Sequence, residues 1–310
     1  MRILCTSLFK NSWIPYWSKF LKDRGHTVKW LIGHNEKHEA DLVKEGKKFG
    51  AILCMWGSKW AKAFIDAGYD NVFVICRSFE MFKDAQVFGV EKVNLGKAHK
   101  VFMLNEAHYE YLKENHPKVR PVFIKNGIDL DEWPLVERDN DAGHKVGWIC
   151  NLNYKKGAIL APNVIAELSK IDKLLQVYHI GAINSRRAYC YIQNIMPYLH
   201  TRFFNDGYEN SHDFVKKFLK DKRYILSCSM VEGHPMNILE AAATGCQPLI
   251  HRYPGAEHQW PENWIWSSFD ELREMYQRDY NSQEYRDYIV KNYDYRETYK
   301  PVAEAIEDVE

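Results

Sequence analysis

Short apolar runs alternate with longer amphipathic stretches along almost the whole chain of 310 residues. That alternation is typical of parallel sheets whose strands are joined by crossover helices. It predicts six strands in the first half, at 2–5, 27–32, 51–55, 71–76, 100–104 and 120–124. It predicts six more in the second half, at 145–150, 174–180, 201–204, 224–228, 247–251 and 264–266. The sequence therefore predicts an α/β protein with two doubly wound halves, whose ligands bind beyond the carboxyl ends of the strands.

Helices and domain boundaries follow from the same pattern. Helices are predicted at 15–24, 58–67, 106–115, 161–170, 186–199, 211–220 and 236–244, and the residues after 266 are predicted to be mostly helical. The polar stretch 137–144 has the composition of an interdomain linker. We expect an N-terminal domain at 1–136, a C-terminal domain at 145–290, and a C-terminal helix at 291–310 that packs back on the N-terminal domain. The two sheets are expected to face each other across a cleft.

Composition and charge exclude several classes of protein. With 46% hydrophobic and 27% charged residues, the chain can bury two ordinary cores. A formal net charge of +1 gives no electrostatic support for a nucleic acid partner. The seven cysteines form no Cys-x-x-Cys pair, and Cys54, Cys76, Cys150 and Cys228 lie in apolar runs, which indicates a reducing compartment without disulfides or zinc. No signal peptide or membrane-spanning run is present, so we expect a soluble, cytoplasmic protein.

Two glutamates stand eight positions apart in the segment that follows the strand at 224–228. Pro235 lies where a helix begins, and the free N–H groups at such a helix start can bind a phosphate. Glu240 lies about one turn further into this helix, where it is free to accept hydrogen bonds from hydroxyls, and Glu232 precedes the helix. The alternative is that both glutamates are solvated surface acids. A ligand that is part phosphate and part polyol, such as a nucleotide sugar, suits the first interpretation.

The residues around these glutamates carry a more specific signal. Ser-x-x-Glu-Gly-x-Pro-x-x-x-x-Glu-Ala-x-Ala-x-Gly-x-Pro, over 229–248, resembles the donor-site signature of retaining glycosyltransferases of family 4. That resemblance implies the GT-B fold of two Rossmann-like domains, with the acceptor on the N-terminal side and the nucleotide sugar on the C-terminal side. It implies metal-independent transfer of a hexose or pentose from a UDP- or GDP-sugar, with no other cofactor. Glu232 would hold the sugar hydroxyls and Glu240 the ribose hydroxyls, and the other donor-binding residues here would be Gly233, His234, Met236 and Asn237.

Two further segments match the family in order. Asn126-Gly127 resembles the turn at the end of the first domain, although an ordinary hairpin turn has the same sequence. Lys156 before Gly157 matches a Lys that binds the donor diphosphate, whereas Trp148 stands where the family has an Arg.

Other positions extend the resemblance less specifically. Arg186 and Arg187 are candidates to replace the missing charge, but a solvated helix start explains them better. Asn205 lies in the loop that the family places around the nucleotide base. Asp129 and Asp131 form an Asp-x-Asp, which we interpret as exposed acids and not as a metal site.

The N-terminal half contributes a cation and departs from the family at its first loop. Arg77 ends a predicted strand at the position where the family presents a His or an Arg, and Glu80 matches a frequent downstream Glu. Because Arg stays charged, Arg77 suits charge stabilisation and not general-base catalysis. The family's glycine pair before the first helix is absent, so Ser12 and the backbone near it are the candidate donor contacts there.

Several alternatives stay open. The missing glycine pair and Trp148 also suit a catalytically inactive GT-B protein that binds a nucleotide sugar or a partner. A transferase acting on modified DNA bases is a further alternative, which the near-neutral charge disfavours. The acceptor is unidentified and could be a glycan, a lipid, a protein or a small molecule. Aromatic residues at helical spacing, over 13–20, favour a core-facing stripe over an acceptor platform or a peripheral membrane contact.

Overall fold

The computed structural model describes residues 1–33, 39–81, 89–199, 201–207 and 211–309. The chain forms two compact units. Unit 1 comprises Met1–Gly127, Glu232–His234 and Tyr295–Glu310, and unit 2 comprises Ile128–Val231 and Pro235–Asp294. Residues 128–136, expected in the N-terminal domain, and the expected linker 137–144 therefore lie in unit 2.

Each unit is built on one parallel sheet. The strands of unit 1 are β1 (Arg2–Ser7), β2 (Thr27–Ile32), β3 (Ala51–Cys54), β4 (Val72–Cys76), β5 (Lys100–Met103) and β6 (Val122–Phe123). Those of unit 2 are β7 (Lys145–Ile149), β8 (Gln176–Ile180), β9 (Arg202–Asn205), β10 (Tyr224–Ser227), β11 (Gln247–His251) and β12 (Ile265–Trp266). Within the described ranges, the sheet orders are β2-β1-β3-β4-β5-β6 and β12-β11-β10-β7-β8-β9. All twelve predicted strands are thereby confirmed, with ends that differ by two residues at most.

Helices connect the strands in both units. They are α1 (Ile14–Asp23), α2 (Glu39–Gly46), α3 (Lys59–Asp66), α4 (Tyr109–Asn115), α5 (Ala161–Ile171), α6 (Arg186–Ile195), α7 (His212–Leu219), α8 (Met236–Ala243), α9 (Phe269–Gln277), α10 (Ser282–Asn292), α11 (Tyr295–Thr298) and α12 (Lys300–Glu307). The sequence did not predict α2. The predicted helices at 106–115 and 186–199 each divide into an α-helix and a 3-10 turn.

The C-terminal segment completes the core of unit 1. The aromatic stripe at the start of α1 is buried; its members are the N-cap residue Trp13 and the helical residues Tyr16, Trp17 and Phe20. The ring of Trp17 stacks on Tyr299 with centroids 3.8 Å apart, and the Tyr299 hydroxyl donates to the Gly127 carbonyl at 3.1 Å. The core-facing interpretation of the stripe is therefore confirmed.

The strand order of unit 2 reverses between β7 and β10, which are neighbours in its sheet. In doubly wound sheets, ligands bind beyond the carboxyl ends of the strands at such a reversal. This rule points to the chain just after Ile149 and Ser227 as the binding region of unit 2.

All seven cysteines are free thiols, of which Cys54, Cys76 and Cys228 are buried and Cys150 is half-buried.

Among the described residues, every helix is too short or too polar to cross a bilayer.

Candidate functional site

The start of α8 lies at the reversal point of the unit 2 sheet. Pro235 takes an extended conformation at the N-cap position, and no side chain in the described ranges caps the helix. Its first N–H groups are consequently free to bind an anion. The Asn237 amide donates to the carbonyl oxygen of Ile149, the last residue of β7, at 2.9 Å. This hydrogen bond fixes the first turn of α8, with half-buried Met236 and Asn237, beside the end of β7.

Glu240 is a buried carboxylate on α8. Its side chain is 4% exposed, and its Oε1 atom has no hydrogen-bond partner within the described part of the chain. Burial raises the pKa of Glu240 to about 8. Glu132 also raises this pKa, whereas His212 lowers it. His212 Nδ1 and Glu132 Oε1 lie 2.7 Å apart. A buried acceptor without a partner is costly to the folded protein, so Oε1 keeps the capacity to accept a hydrogen bond from a donor that these residues do not supply.

The loop that carries Lys156 lies against the end of β10. Gly157 has a φ of +71°, and a Cβ at this position would lie 1.9 Å from the Cys228 carbonyl oxygen, so only glycine fits. The Met230 N–H donates to the Lys155 carbonyl at 2.9 Å, which holds the loop to the segment after β10. Lys156 is half-buried in this loop, and its expected role in binding a diphosphate stays a prediction.

The structure explains why Trp148 does not correspond to a ligand-binding Arg. Trp148 is buried in the core cluster of unit 2, and its ring lies 5.3 Å from that of His179. Asn151 lies two residues beyond the end of β7, and its Oδ1 accepts from the Ala182 N–H at 3.2 Å. Arg186 and Arg187 are exposed on the first turn of α6, as expected of a solvated helix start.

Asn205 ends β9 and is bonded within its own turn. Its Oδ1 accepts from the Gly207 N–H at 3.3 Å and lies 3.2 Å from His179 Nδ1. The side chain thus shapes the turn that the resemblance places around the base.

Arg77 follows β4 in unit 1 and is 4% exposed. Its guanidinium lies 4.0 Å from the centre of the Trp13 ring, and its Nη2 donates to Asn126 Oδ1 at 2.8 Å. Nη1 has no hydrogen-bond partner among the described residues. Burial lowers the pKa of Arg77 to about 10, while Tyr299 and Glu80 oppose that shift. Arg77 therefore remains a cation at neutral pH, with one buried donor left for a ligand.

Glu80 acts on the backbone beside Arg77. Its carboxylate accepts hydrogen bonds from the N–H groups of Arg77 and Ser78, the second at 2.9 Å. The side chain is fully buried, and that burial raises its pKa. Glu80 thus fixes the turn after β4.

The segment Glu232–His234 belongs to unit 1 and lies at the carboxyl ends of β4, β5 and β6. Asn105 Nδ2 donates to the Glu232 carbonyl at 2.9 Å, and Asn126 Nδ2 donates to the His234 carbonyl at 2.9 Å. A Cβ on Gly233 would lie 1.6 Å from the Arg77 carbonyl oxygen. Burial lowers the pKa of His234 to about 3, with Lys125 and Arg77 adding to the effect, so the imidazole is neutral.

Ser12 lies in the turn that leads into α1. It is half-buried, and the Ile14 N–H donates to the Asn11 carbonyl at 3.2 Å to close this turn.

Eight of the ten predicted site residues fall into two groups. Lys156, Met236, Asn237 and Glu240 belong to the reversal point of unit 2, whereas Arg77, Glu232, Gly233 and His234 lie at the strand ends of unit 1. Sequence reasoning missed Asn105, Glu132 and His212. The sequence carried one signal that could have identified Asn105, which is its position just beyond a buried strand.

No metal centre is evident from the side chains. In the ranges that the structure describes, no group of three or more His, Cys, Asp or Glu residues is arranged to hold a metal ion.

Solved structures share this architecture along nearly the whole chain. HepE of Anabaena, solved with UDP-glucose, superposes with a TM-score of 0.75 at 13% identity, covering 99% of this chain and 100% of HepE. The chain has the GT-B fold. A glycosyltransferase of Rickettsia africae gives a TM-score of 0.75 at 14% identity, covering 99% of this chain and 98% of its own. Sucrose-phosphate synthase of Thermosynechococcus elongatus gives 0.75 at 13% identity, covering 100% and 98%.

The GT-B architecture confirms the predicted fold class. By sequence, the chain matches no family model, and a search of curated proteins finds no match.

Proposed function

We propose that this protein is a metal-independent, retaining glycosyltransferase that uses a nucleoside diphosphate sugar. The observation that carries the proposal is the buried Glu240 carboxylate, which lies one turn inside a helix whose start is uncapped among the described residues. An uncapped helix start binds a phosphate, and a buried carboxylate oxygen without a partner accepts from a hydroxyl. Unit 2 therefore offers complementary groups for the phosphate and ribose of a nucleotide.

The proposed chemistry is heterolysis of the bond between the anomeric carbon and the diphosphate oxygen. The acceptor hydroxyl, or water in hydrolysis, forms the new bond to the anomeric carbon and gives its proton to the leaving diphosphate. Negative charge then develops on the leaving diphosphate, and preorganised donors that meet this charge accelerate the reaction. We assign the α8 start and Lys156 to the diphosphate. Arg77 supplies a fixed cation, and Glu232 holds the hydroxyls of the transferred sugar.

The comparison structures favour a particular donor for the first test. HepE was solved with UDP and with UDP-glucose, and a galactosyltransferase of the lipopolysaccharide outer core, WaaB, gives a TM-score of 0.68 at 12% identity, covering 99% of each chain. A UDP-hexose is thus the donor that we propose, with GDP-sugars and pentose donors as the comparison set.

A panel of donors, assayed for slow hydrolysis with and without EDTA, tests this function. We expect hydrolysis of one UDP-hexose at an unchanged rate in EDTA, and NMR of the first product should show the anomeric configuration of the donor. Loss of activity in EDTA with recovery in Mn²⁺ contradicts the metal-independent mechanism, and an inverted product contradicts retention. Tight donor binding without turnover identifies a binding module instead.

A further inference from the structure

The segment Glu232–His234 is held at both of its ends by asparagine side chains. Asn105 follows β5 and donates to the Glu232 carbonyl at 2.9 Å, and Asn126 follows β6 and donates to the His234 carbonyl at 2.9 Å. Both asparagines are buried, at 2% exposure each. Buried hydrogen bonds of this kind fix a backbone more firmly than exposed bonds, because water does not compete for the groups.

The middle of the same segment is fixed by close contact. Gly233 lies so near the Arg77 carbonyl oxygen that a Cβ would approach it to 1.6 Å. Three consecutive residues are therefore fixed against the ends of three adjacent strands, β4, β5 and β6. Glu232 begins this segment, and the direction of its side chain depends on the backbone that the asparagines hold.

Asn126 also contacts the cation of unit 1. Its Oδ1 accepts from Arg77 Nη2 at 2.8 Å while its Nδ2 donates to His234. One amide thus fixes the Arg77 guanidinium and the end of the Glu232 segment relative to each other.

We infer that Asn105 and Asn126 are positioning residues that hold Glu232 in its working orientation through hydrogen bonds to the Glu232 and His234 carbonyls. The kinetic part of this inference rests on the proposed function of Glu232, whereas the structural part does not. A catalytic group must be held to within a fraction of an ångström. Loss of the asparagine hydrogen bonds therefore lowers kcat more than it weakens nucleotide binding.

Substitution to aspartate removes the donor and keeps the shape. Asn105→Asp retains the oxygen that accepts from the Ala107 N–H, and Asn126→Asp retains the oxygen that accepts from Arg77. An ionised carboxylate cannot donate, and because burial raises the pKa of a carboxyl, the variants are measured at both pH 8 and pH 9 so that the ionised form is sampled. Asn115→Asp is the matched control, because the Asn115 amide donates to Tyr111 on the exposed face of α4.

Hydrogen–deuterium exchange and steady-state kinetics test the inference together. We expect the amides of 231–234 and 236 to exchange about tenfold faster in Asn105→Asp and Asn126→Asp, since opening of a held backbone governs exchange. We expect kcat for donor hydrolysis to fall about tenfold in each, with the Kd of the free nucleoside diphosphate within twofold of wild type. Asn115→Asp should match wild type in all three measurements.

Asn126→Ala separates the two bonds of Asn126. Because both Asn126 variants lose the donor to His234, they should show the same exchange, and Asn126→Ala, which also releases Arg77, should lose at least as much kcat as Asn126→Asp. Wild-type exchange or wild-type kcat in Asn126→Asp, with losses in Asn126→Ala alone, would assign the effect to Arg77 and overturn the inference. A wild-type protein that turns over no donor contradicts the proposed function only, because the exchange measurement still decides whether the asparagines hold the segment.

Discussion

Glu232 and Glu240 are eight positions apart in the chain, yet they occupy contrasting environments. Glu232 belongs to unit 1, in a segment whose carbonyls accept hydrogen bonds from Asn105 and Asn126. Glu240 belongs to unit 2, where its Oε1 lacks a hydrogen-bond partner among the described residues and burial raises its pKa to about 8. Hydrogen bonds to the backbone fix the position of Glu232, whereas Glu240 keeps an acceptor oxygen that a ligand can use.

This contrast predicts different kinetic roles, and Glu232→Gln should show the largest effect. The substitution keeps the size of the side chain and removes the charge near the transferred sugar. We expect kcat to fall about 100-fold or more, since groups that act mainly in the transition state contribute on that order. The KM for the donor should change less than fivefold.

Glu274→Gln is the control for this measurement, because Glu274 is exposed on α9. A rise in the KM with an unchanged kcat in Glu232→Gln would show that Glu232 serves binding, like Glu240, and would remove the contrast.

The raised pKa of Glu240 predicts a pH dependence of nucleotide affinity. In the proposed complex the ribose hydroxyls donate to the ionised carboxylate, so binding at pH 7 should release a proton. With a pKa of about 8, the affinity for a free nucleoside diphosphate should rise about tenfold between pH 7 and pH 9. Calorimetry in buffers of different ionisation enthalpy measures both the affinity and the proton released. A flat profile in wild type, or an equally steep one in Glu240→Gln, would contradict this assignment.

The raised pKa of Glu240 makes the stability of the folded protein depend on pH in the opposite direction from nucleotide affinity. The pKa of Glu240 in the folded protein lies above the unfolded value, so its contribution to stability is complete below about pH 4. That contribution is lost as the pH rises through about 8. Ionisation of Glu240 should therefore raise nucleotide affinity over the same pH range in which its contribution to the stability of the ligand-free protein is lost.

Tyr299→Phe should produce the smallest effect, a loss of stability that is confined to unit 1. The substitution removes the hydrogen bond from the Tyr299 hydroxyl to the Gly127 carbonyl, next to Asn126. We expect a loss of about 1 kcal/mol in the free energy of unfolding, measured in urea. Nucleotide affinity should stay at the wild-type value. Tyr198→Phe is the control, because Tyr198 is 79% exposed; an equal loss there would show that the bond to Gly127 contributes nothing.

The strands and the start of α8 could be predicted because their signals are local. A buried strand needs a short apolar run, and a helix start after Pro235 needs only the identity of neighbouring residues. The short α2 carries no comparable pattern, and it was missed. Trp148 shows the limit of spacing arguments, since its place inside β7 directs the ring into the core.

The supporting residues of the site could not be predicted from local patterns. Asn105 bonds a carbonyl 127 positions away, and His212 meets Glu132 across 80 positions. Such pairs form only when the sheet order brings distant segments together. The sequence drew attention to the segment 229–248, whereas the environments of its residues could be read only from the fold.

The most direct test is a calorimetric titration of the free nucleoside diphosphate into wild type, Glu232→Gln and Glu240→Gln. The ligand lacks the sugar, so it should bind Glu232→Gln as tightly as wild type. At pH 9, where Glu240 is mostly ionised, Glu240→Gln should lose about 1.5–3 kcal/mol of binding free energy, the range for hydrogen bonds to a charged group. An equal loss in both variants, or a loss in neither, would contradict the division of roles between the two carboxylates.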